Sequence, residues 1–293
     1  MRFFDIVGIA AVCGWLVVTG FYVYRAESDS SPASERLDAE LVLAEGETWL
    51  SLNRENKNVG FAHQTRTRLE SGWLLEYDLL MLIELLGSKR PLETSIKARL
   101  DSEGYLEEFN ADVEAGGTSF EAQGRVEGSR IYLTTDLGKN PKQRVLDLKQ
   151  RPRLSSSAVN QLLATDDLQP GDTFEQEFFD PTSMQMTEMV MEYVGREEVE
   201  VVEETYQAHH IRQRVAGNEL DVYVDDRGEI LIQEFPLRMI GMRVPAALGK
   251  SRAATMRKKV SELEGGKKGK SQRDGIDLGL ETAMDLLGGA ADE

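Results

Sequence analysis

Residues 72–87 read GWLLEYDLLMLIELLG. Successive side chains of an extended strand point to opposite faces. At that period Trp73, Leu75, Tyr77, Leu79, Met81, Ile83 and Leu85 line one face without interruption, against Glu76, Asp78, Leu80, Leu82, Glu84 and Leu86 on the other. A strand with one wholly apolar face belongs in the centre of a sheet. Its second face is polar at its start and apolar in the middle, at Leu80 and Leu82, and those two side chains need a cover, either protein or ligand.

The same period runs outward in both directions. Upstream, residues 46–69 (GETWLSLNRENKNVGFAHQTRTRL) read as strand, turn and strand, with an Asn-rich connection at 53–58. Phe61, His63 and Thr65 share a face with Val59, while Gln64, Arg66 and Arg68 take the other. Downstream, Thr94, Ile96, Ala98 and Leu100 alternate with Ser95, Lys97, Arg99 and Asp101, and further strands follow around Phe109, Phe120 and Ile131. Their connections are short and contain glycine, as antiparallel hairpins require. Parallel pairing needs crossovers of a dozen or more residues, and no such segment is present in this block. Residues 155–165 (SSSAVNQLLAT) combine serine caps with apolar Val159, Leu162 and Leu163, which predicts one short helix and makes it the first candidate for the cover over Leu80 and Leu82. A second block of strands is expected at 173–179, 184–194, 198–202, 206–215, 219–224, 229–234 and 239–244. The expected fold is mainly β: a large antiparallel curved sheet or half-barrel with one short helix, preceded by a transmembrane helix.

That helix is read from residues 3–24 (FFDIVGIAAVCGWLVVTGFYVY), which begin at Phe3, end at Tyr24 and carry one charge, Asp5. A spanning helix needs about 20 apolar residues, whereas the apolar core of a cleavable signal is only about 7–15 residues long. Retention as a single anchor is therefore the expectation. Arg2 against Arg25 and Arg36 nearly balances the positive-inside count. The short N-terminal stub and the acidic residues Glu27, Asp29 and Glu35 favour export of the bulk of the chain. The expected location is the cytoplasmic membrane, single-pass, with an extracytoplasmic body. Segment by segment, the chain divides into an anchor at 1–25, a Ser-, Pro- and charge-rich linker at 26–45, a β domain at 46–248 and a tail at 249–293.

Net charge is -17; the two terminal segments 1–25 and 250–293 sum to +1 each, which leaves -19 on residues 26–249. Phosphate contacts need clustered Lys and Arg, so an acidic body of this kind argues against a nucleic-acid partner. The single cysteine, Cys13, lies in the anchor, so the β domain has no disulfide, thiolate metal site or cysteine nucleophile. Of three histidines, His209 and His210 are adjacent in an expected strand and must point to opposite faces, which disfavours a shared metal site. None of the common hydrolase, nucleotide or calcium motifs is present. No metal, cofactor or catalytic residue is expected.

Met184, Met186, Met189 and Met191 fall in one segment, and adaptable thioethers suit irregular apolar surfaces. Core filling is the commoner use of such residues. Together with Leu80 and Leu82 they define a possible apolar ligand groove on a concave sheet. The tail holds nine basic residues between Lys250 and Arg273, broken by Gly265, Gly266 and Gly269; it reads as a flexible polybasic stretch, followed by a short amphipathic helix from Asp274 to Leu287.

Three short motifs, ETW at 47–49, NVGFAH at 58–63 and VYVDDRGEIL at 222–231, look like the β-rich extracytoplasmic region that precedes the catalytic domain of bacterial membrane-anchored transglutaminase-like proteins. The resemblance spans residues 46–245 and implies the fold of that region more than its activity. The Cys, His and Asp set of the transglutaminase-like catalytic domain has no counterpart after the anchor. The expected function is a membrane-anchored, extracytoplasmic, non-catalytic binding or scaffold module of the cell envelope, with an envelope protein or a lipid as partner. The alternatives are a lipid or lipoprotein carrier using the concave sheet, and an enzyme of unrecognised type.

Overall fold

The computed structural model describes residues 35–36, 43–85, 88–115, 117–137, 141–155, 158–165, 167–215 and 217–265. Among them no helix is long and apolar enough to cross a membrane; residues 3–24 and the expected helix at 274–287 lie outside the described residues.

The strands are β1 (Glu35–Arg36), β2 (Gly46–Arg54), β3 (Lys57–Arg68), β4 (Trp73–Leu85), β5 (Ser88–Leu100), β6 (Leu106–Ala115), β7 (Thr118–Glu127), β8 (Arg130–Asp136) and β9 (Lys142–Asp147). After helix α1 (Ala158–Leu163) come β10 (Thr173–Asp180), β11 (Gln185–Val201), β12 (Glu204–Val215), β13 (Asn218–Val224), β14 (Ile230–Phe235) and β15 (Met239–Val244), then helix α2 (Ala246–Gly265). All belong to one sheet, in the order β1-β10-β11-β12-β13-β14-β15-β2-β3-β4-β5-β6-β7-β8-β9. Fourteen strands, β2 to β15, pair antiparallel, and the two-residue β1 adds in parallel beside β10. The two blocks read from the sequence are therefore halves of one sheet, joined where β15 pairs with β2 (Val244 opposite Trp49, Ile240 opposite Asn53).

The expected strands at 184–194 and 198–202 are one strand. Gly195, at φ 135°, takes up a register shift against β12, and the ladder continues to Val201. A bulge bends a strand without ending it.

The uninterrupted apolar face of β4 points inward. Trp73 and Leu75 join Ala98, Leu100, Phe109, Ala111, Ala122 and Leu133 in one cluster, and Met81 joins Leu50, Leu52 and Ala62 in the next. The two ends of the antiparallel run, β9 and β10, are brought together by the chain that crosses between them. The Leu106 N–H donates to the Pro152 carbonyl at 2.9 Å, and the Phe179 N–H to the Arg153 carbonyl at 2.7 Å. Inside this lacing the Phe109 and Phe179 rings lie 5.2 Å apart. The β10–β11 hairpin is covered on both faces: Phe174, Gln176 and Phe178 turn toward Met189 and α1, while the cross-strand pair Phe179 and Met186 packs against the Phe109 cluster.

Leu80 and Leu82 lie on the opposite face, and α1 is not their cover. Helix α2 is: Ala253, Met256 and Val260 pack with Trp49, Phe61, Leu80 and Leu82. Residues 250–265 are thus helical rather than a flexible basic stretch. Their apolar stripe at 253, 256 and 260 is narrow and sits among Lys250, Arg252, Arg257, Lys258 and Lys259, so charge hid the periodicity. The six-residue α1 instead seats Ala158 and Leu162 on Phe174, Met189 and Met191. It also meets the β13–β14 turn: a Cβ at Gly228 would fall 2.0 Å from Asn160 Oδ1, and Gly228 has φ 73°.

Candidate functional site: a cleft beside the β11–β12 tip

Four segments meet around a cleft of about 350 Å³: the start of β2, the end of β15, the β13–β14 turn and the β11–β12 tip. Trp49, Tyr206 and Arg243 stand in its wall together with Glu47, Glu229 and Val202. Each is fixed by neighbours. Glu47 accepts from Trp49 Nε1 at 2.9 Å, lies 3.1 Å from His63 Nε2 and pairs with Lys250 Nζ at 3.3 Å. The His63 ring stacks on the indole at 3.9 Å. The Trp49 bond is the main reason that the Glu47 carboxyl sits below its ordinary range; burial opposes it, and Lys250 and His63 add to the lowering.

Behind these residues lies a network of two arginines and two carboxylates. Arg243 Nη1 is 3.0 Å from Asp225 Oδ2 and 3.5 Å from Glu229 Oε2, and its guanidinium lies 5.0 Å above the Tyr206 ring. Arg66, whose side chain is only 7% exposed, places Nη2 3.5 Å from Glu229 Oε1. Burial lowers the Arg66 pKa, and Glu229 and Asp225 oppose that shift. For Arg243 burial also works against the charge, but bonds to Tyr206 and Asp225 outweigh it and raise the pKa. Asp225 is itself held by the backbone N–H groups of Arg227 and Glu229, each at 3.0 Å. A turn that fixes its own Asp carboxylate in this way is a rigid mount. Arg227 adds a third cation, its Nη2 3.7 Å from Asp225 Oδ2, and the arrangement can hold an aromatic and a cationic surface in place for a ligand without paying for their ordering on binding.

The β11–β12 tip forms the rim. Val202 (φ 49°) and Glu203 (φ 67°) make a two-residue mirror-image turn, which matches the twist of the flanking strands. That conformation disfavours a β-branched residue, and Val202 is 44% exposed. Strain held at an exposed apolar tip points to use of that tip.

A second polar group adjoins the β13–β14 turn. His209 Nδ1 is 3.0 Å from the Tyr193 hydroxyl, and Nε2 lies 3.2 Å from Asp226 Oδ1 and 3.1 Å from Arg196 Nη2. Burial, then the Arg196 charge, depresses the His209 pKa below 6.5, despite Asp226. The folded state thus takes up its proton at lower pH than the unfolded chain does. His209 contributes stability that is full above pH ~6.5 and is lost as pH falls through the depressed value. Urea midpoints measured between pH 7.5 and 5 should fall for the native chain, and the part of that fall due to this ring should vanish in His209→Gln. Equal slopes for both proteins would refute this assignment. His210 points to the other face, as two adjacent strand residues must. Its Nδ1 meets Glu197 at 3.0 Å and its ring stacks on Tyr223 at 4.4 Å. Among the described residues no group of three or more His, Cys, Asp or Glu side chains is arranged to hold a metal.

The six residues read as an apolar groove are divided. Leu80 and Leu82 lie under α2, Met184 and Met186 pack with Phe179 and Phe109, and Met189 and Met191 lie in the α1 cluster. The cleft was not anticipated from the sequence. Its partners Arg66 and Glu229 are 163 residues apart, and no local pattern marks them.

No family model matches the chain, and no curated protein matches it. Among solved structures, it is similar to the crystal structure of a beta-barrel-like protein of domain of unknown function DUF1849 from Brucella abortus. Identity is 11%, the match covers 68% of this chain and 94% of that one, and the TM-score is 0.53. The fold is β-barrel-like. A DUF1089 family protein from Pseudomonas aeruginosa is also similar, at 16% identity over 60% of this chain and 90% of that one, with a TM-score of 0.35. Likeness at such identity carries the fold alone.

Proposed function

We propose that the chain is a non-catalytic binding module of the cell envelope, anchored by residues 3–24 with its body extracytoplasmic, and that it receives a protein partner in the cleft beside the β11–β12 tip. The supporting observation is the cleft wall itself, in which Trp49, Tyr206 and Arg243 are held in place by Glu47, Asp225 and Glu229. Aromatic residues and arginine are the side chains that dominate interface energetics, above all when they are ordered before binding. The titratable groups of the cleft are engaged in holding this wall, which is why a binding role is preferred to catalysis. A carrier that uses the inner face has less support, because Phe179, Met184 and Leu154 fill that face.

A photo-crosslinking residue at Val202 in the full chain, in its native membranes, tests the proposal. One defined protein adduct is expected, and Arg243→Ala should weaken capture at least ~10-fold, the loss typical of a contact worth over 1.4 kcal/mol. Adducts to lipid alone, with lipid co-purifying in native mass spectrometry, would favour the carrier. A reporter fused at Glu293 that proves cytoplasmic removes the proposed compartment.

A further inference from the structure

The opposite end of the same strands carries a feature that the cleft does not use. Ile240 pairs with Asn53 and Asn53 with Asn58, while at the end of the next hairpin Ile83 pairs with Arg90 and Glu84 with Lys89. The β14–β15 turn, the β2–β3 turn and the end of the β4–β5 hairpin therefore share one rim. Neighbouring strands lie about 4.8 Å apart, so from β14 to β5 the rim is about 24 Å long. Five cations stand along it: Arg54, Lys57, Lys89, Arg90 and Arg238. The acids there are Glu55, Glu84 and Glu234, which pairs opposite Ile240 and accepts from the Asp221 N–H at 3.2 Å, and none of the five cations makes an ion pair among the described residues. The rim is therefore basic by excess, five cations against three acids, on a body whose net charge is -19 over residues 26–249. Helix α2 adds to it, since exposed Arg257, Lys258 and Lys259, followed by one exposed acid at Glu262, flank Val260, which packs in the cluster with Leu82.

The rim also carries the most exposed large aliphatic side chain described. Leu237 is 53% exposed and Ile240 is 42% exposed. Leu237 (φ 66°, ψ 25°) and Arg238 (φ 58°) both adopt left-handed backbone conformations, which hold the leucine out from the turn. Projecting aliphatics ringed by cations are the chemistry of an interface with anionic lipid, where apolar tips enter the headgroup boundary and cations meet phosphates. An acidic protein surface would match the charge but leave Leu237 without a purpose.

We infer that this rim is a membrane-contact face: Leu237 and Ile240 enter the headgroup region of a bilayer while Arg54, Lys57, Lys89, Arg90 and Arg238 engage its anionic lipids. The inference is independent of the cleft and shares with the proposed function only the anchor at residues 3–24. It gives the domain a fixed orientation on the membrane, with the rim down and the cleft turned toward a partner.

The full chain reconstituted in nanodiscs, either of phosphatidylcholine or of an equal mixture with phosphatidylglycerol, tests it by amide hydrogen exchange. Exchange at residues 237–240 and 54–58 is expected to slow about tenfold in the anionic discs relative to the neutral ones. The triple variant Arg54→Glu, Lys57→Glu, Arg238→Glu should lose that slowing while keeping its urea midpoint, since all three side chains are exposed and unpaired. Equal exchange in both discs overturns the proposal. So does protection that polyglutamate produces and anionic lipid does not, which assigns the rim to an acidic protein. A chain that enters neither disc counts against the anchor. Co-sedimentation with phosphatidylglycerol vesicles, abolished in the triple variant, then still supports the rim, and its absence overturns it.

Discussion

Phe109→Ala is expected to lower the unfolding free energy by about 3–5 kcal/mol, the range for deleting a fully buried aromatic ring. Phe109 is 1% exposed, and its ring lies so close over Gly124 that a Cβ there would fall 2.0 Å from Phe109 Cε1. The ring also does what no strand ladder does in this sheet: it meets Phe179 from the opposite edge at 5.2 Å, beneath the bond from the Phe179 N–H to the Arg153 carbonyl. The closure is therefore a matter of side-chain packing and of backbone bonds to Pro152 and Arg153. A double-mutant cycle of Phe109→Ala with Phe179→Ala, read from urea unfolding of the full chain in detergent, should give a coupling of about 0.5–1.5 kcal/mol. Losses that add to within ~0.3 kcal/mol would mean that the rings fill separate space and do not hold the edges together.

Met256→Asp should be comparably costly, on the order of 3–5 kcal/mol, because it places an unpaired carboxylate in an apolar site. Met256 is 2% exposed among Trp49, Phe61 and Leu80. The cost is bounded by release of α2, which returns those side chains to water at about 1.5–3 kcal/mol each. Exchange of the α2 amides should rise and Trp49 emission should shift to the red. Lys259→Asp, at an exposed position of the same helix, should change the midpoint by no more than ~0.5 kcal/mol. An unaltered midpoint in Met256→Asp would show that α2 does not cover the sheet. Because α2 begins at the cleft wall, at Ala246, its release should weaken capture at Val202 as well.

Much of the fold is legible in single segments. The face of β4 from Trp73 to Ile83, the short turns and the alternation of β5 fix an antiparallel sheet, because a period of two and a two-residue turn are local properties of the chain. The opposite directions of His209 and His210 follow from the same rule. Extended run length gave residues 3–24 their reading, which stays an expectation. Less was legible where local signal and final environment diverge. Leu80 and Leu82 announced that a cover was needed, but its identity depended on a helix whose covering residues Ala253, Met256 and Val260 are scattered among five cations.

The cleft and the rim belong almost wholly to tertiary structure. Arg66 looks like any polar strand residue until Glu229 arrives 163 residues later, and Val202 looks like strand interior until the turn exposes it. Arg54, Lys89 and Arg238 are ordinary surface charges in the sequence and become one rim only when β15 pairs with β2. What the sequence alone determined is which faces are apolar and which way neighbouring strands run, since both follow from alternation and turn length. Which strands meet across the seam, which helix covers which face and which charges gather were decided by the fold, because those contacts join residues far apart in the chain and no short-range pattern records them.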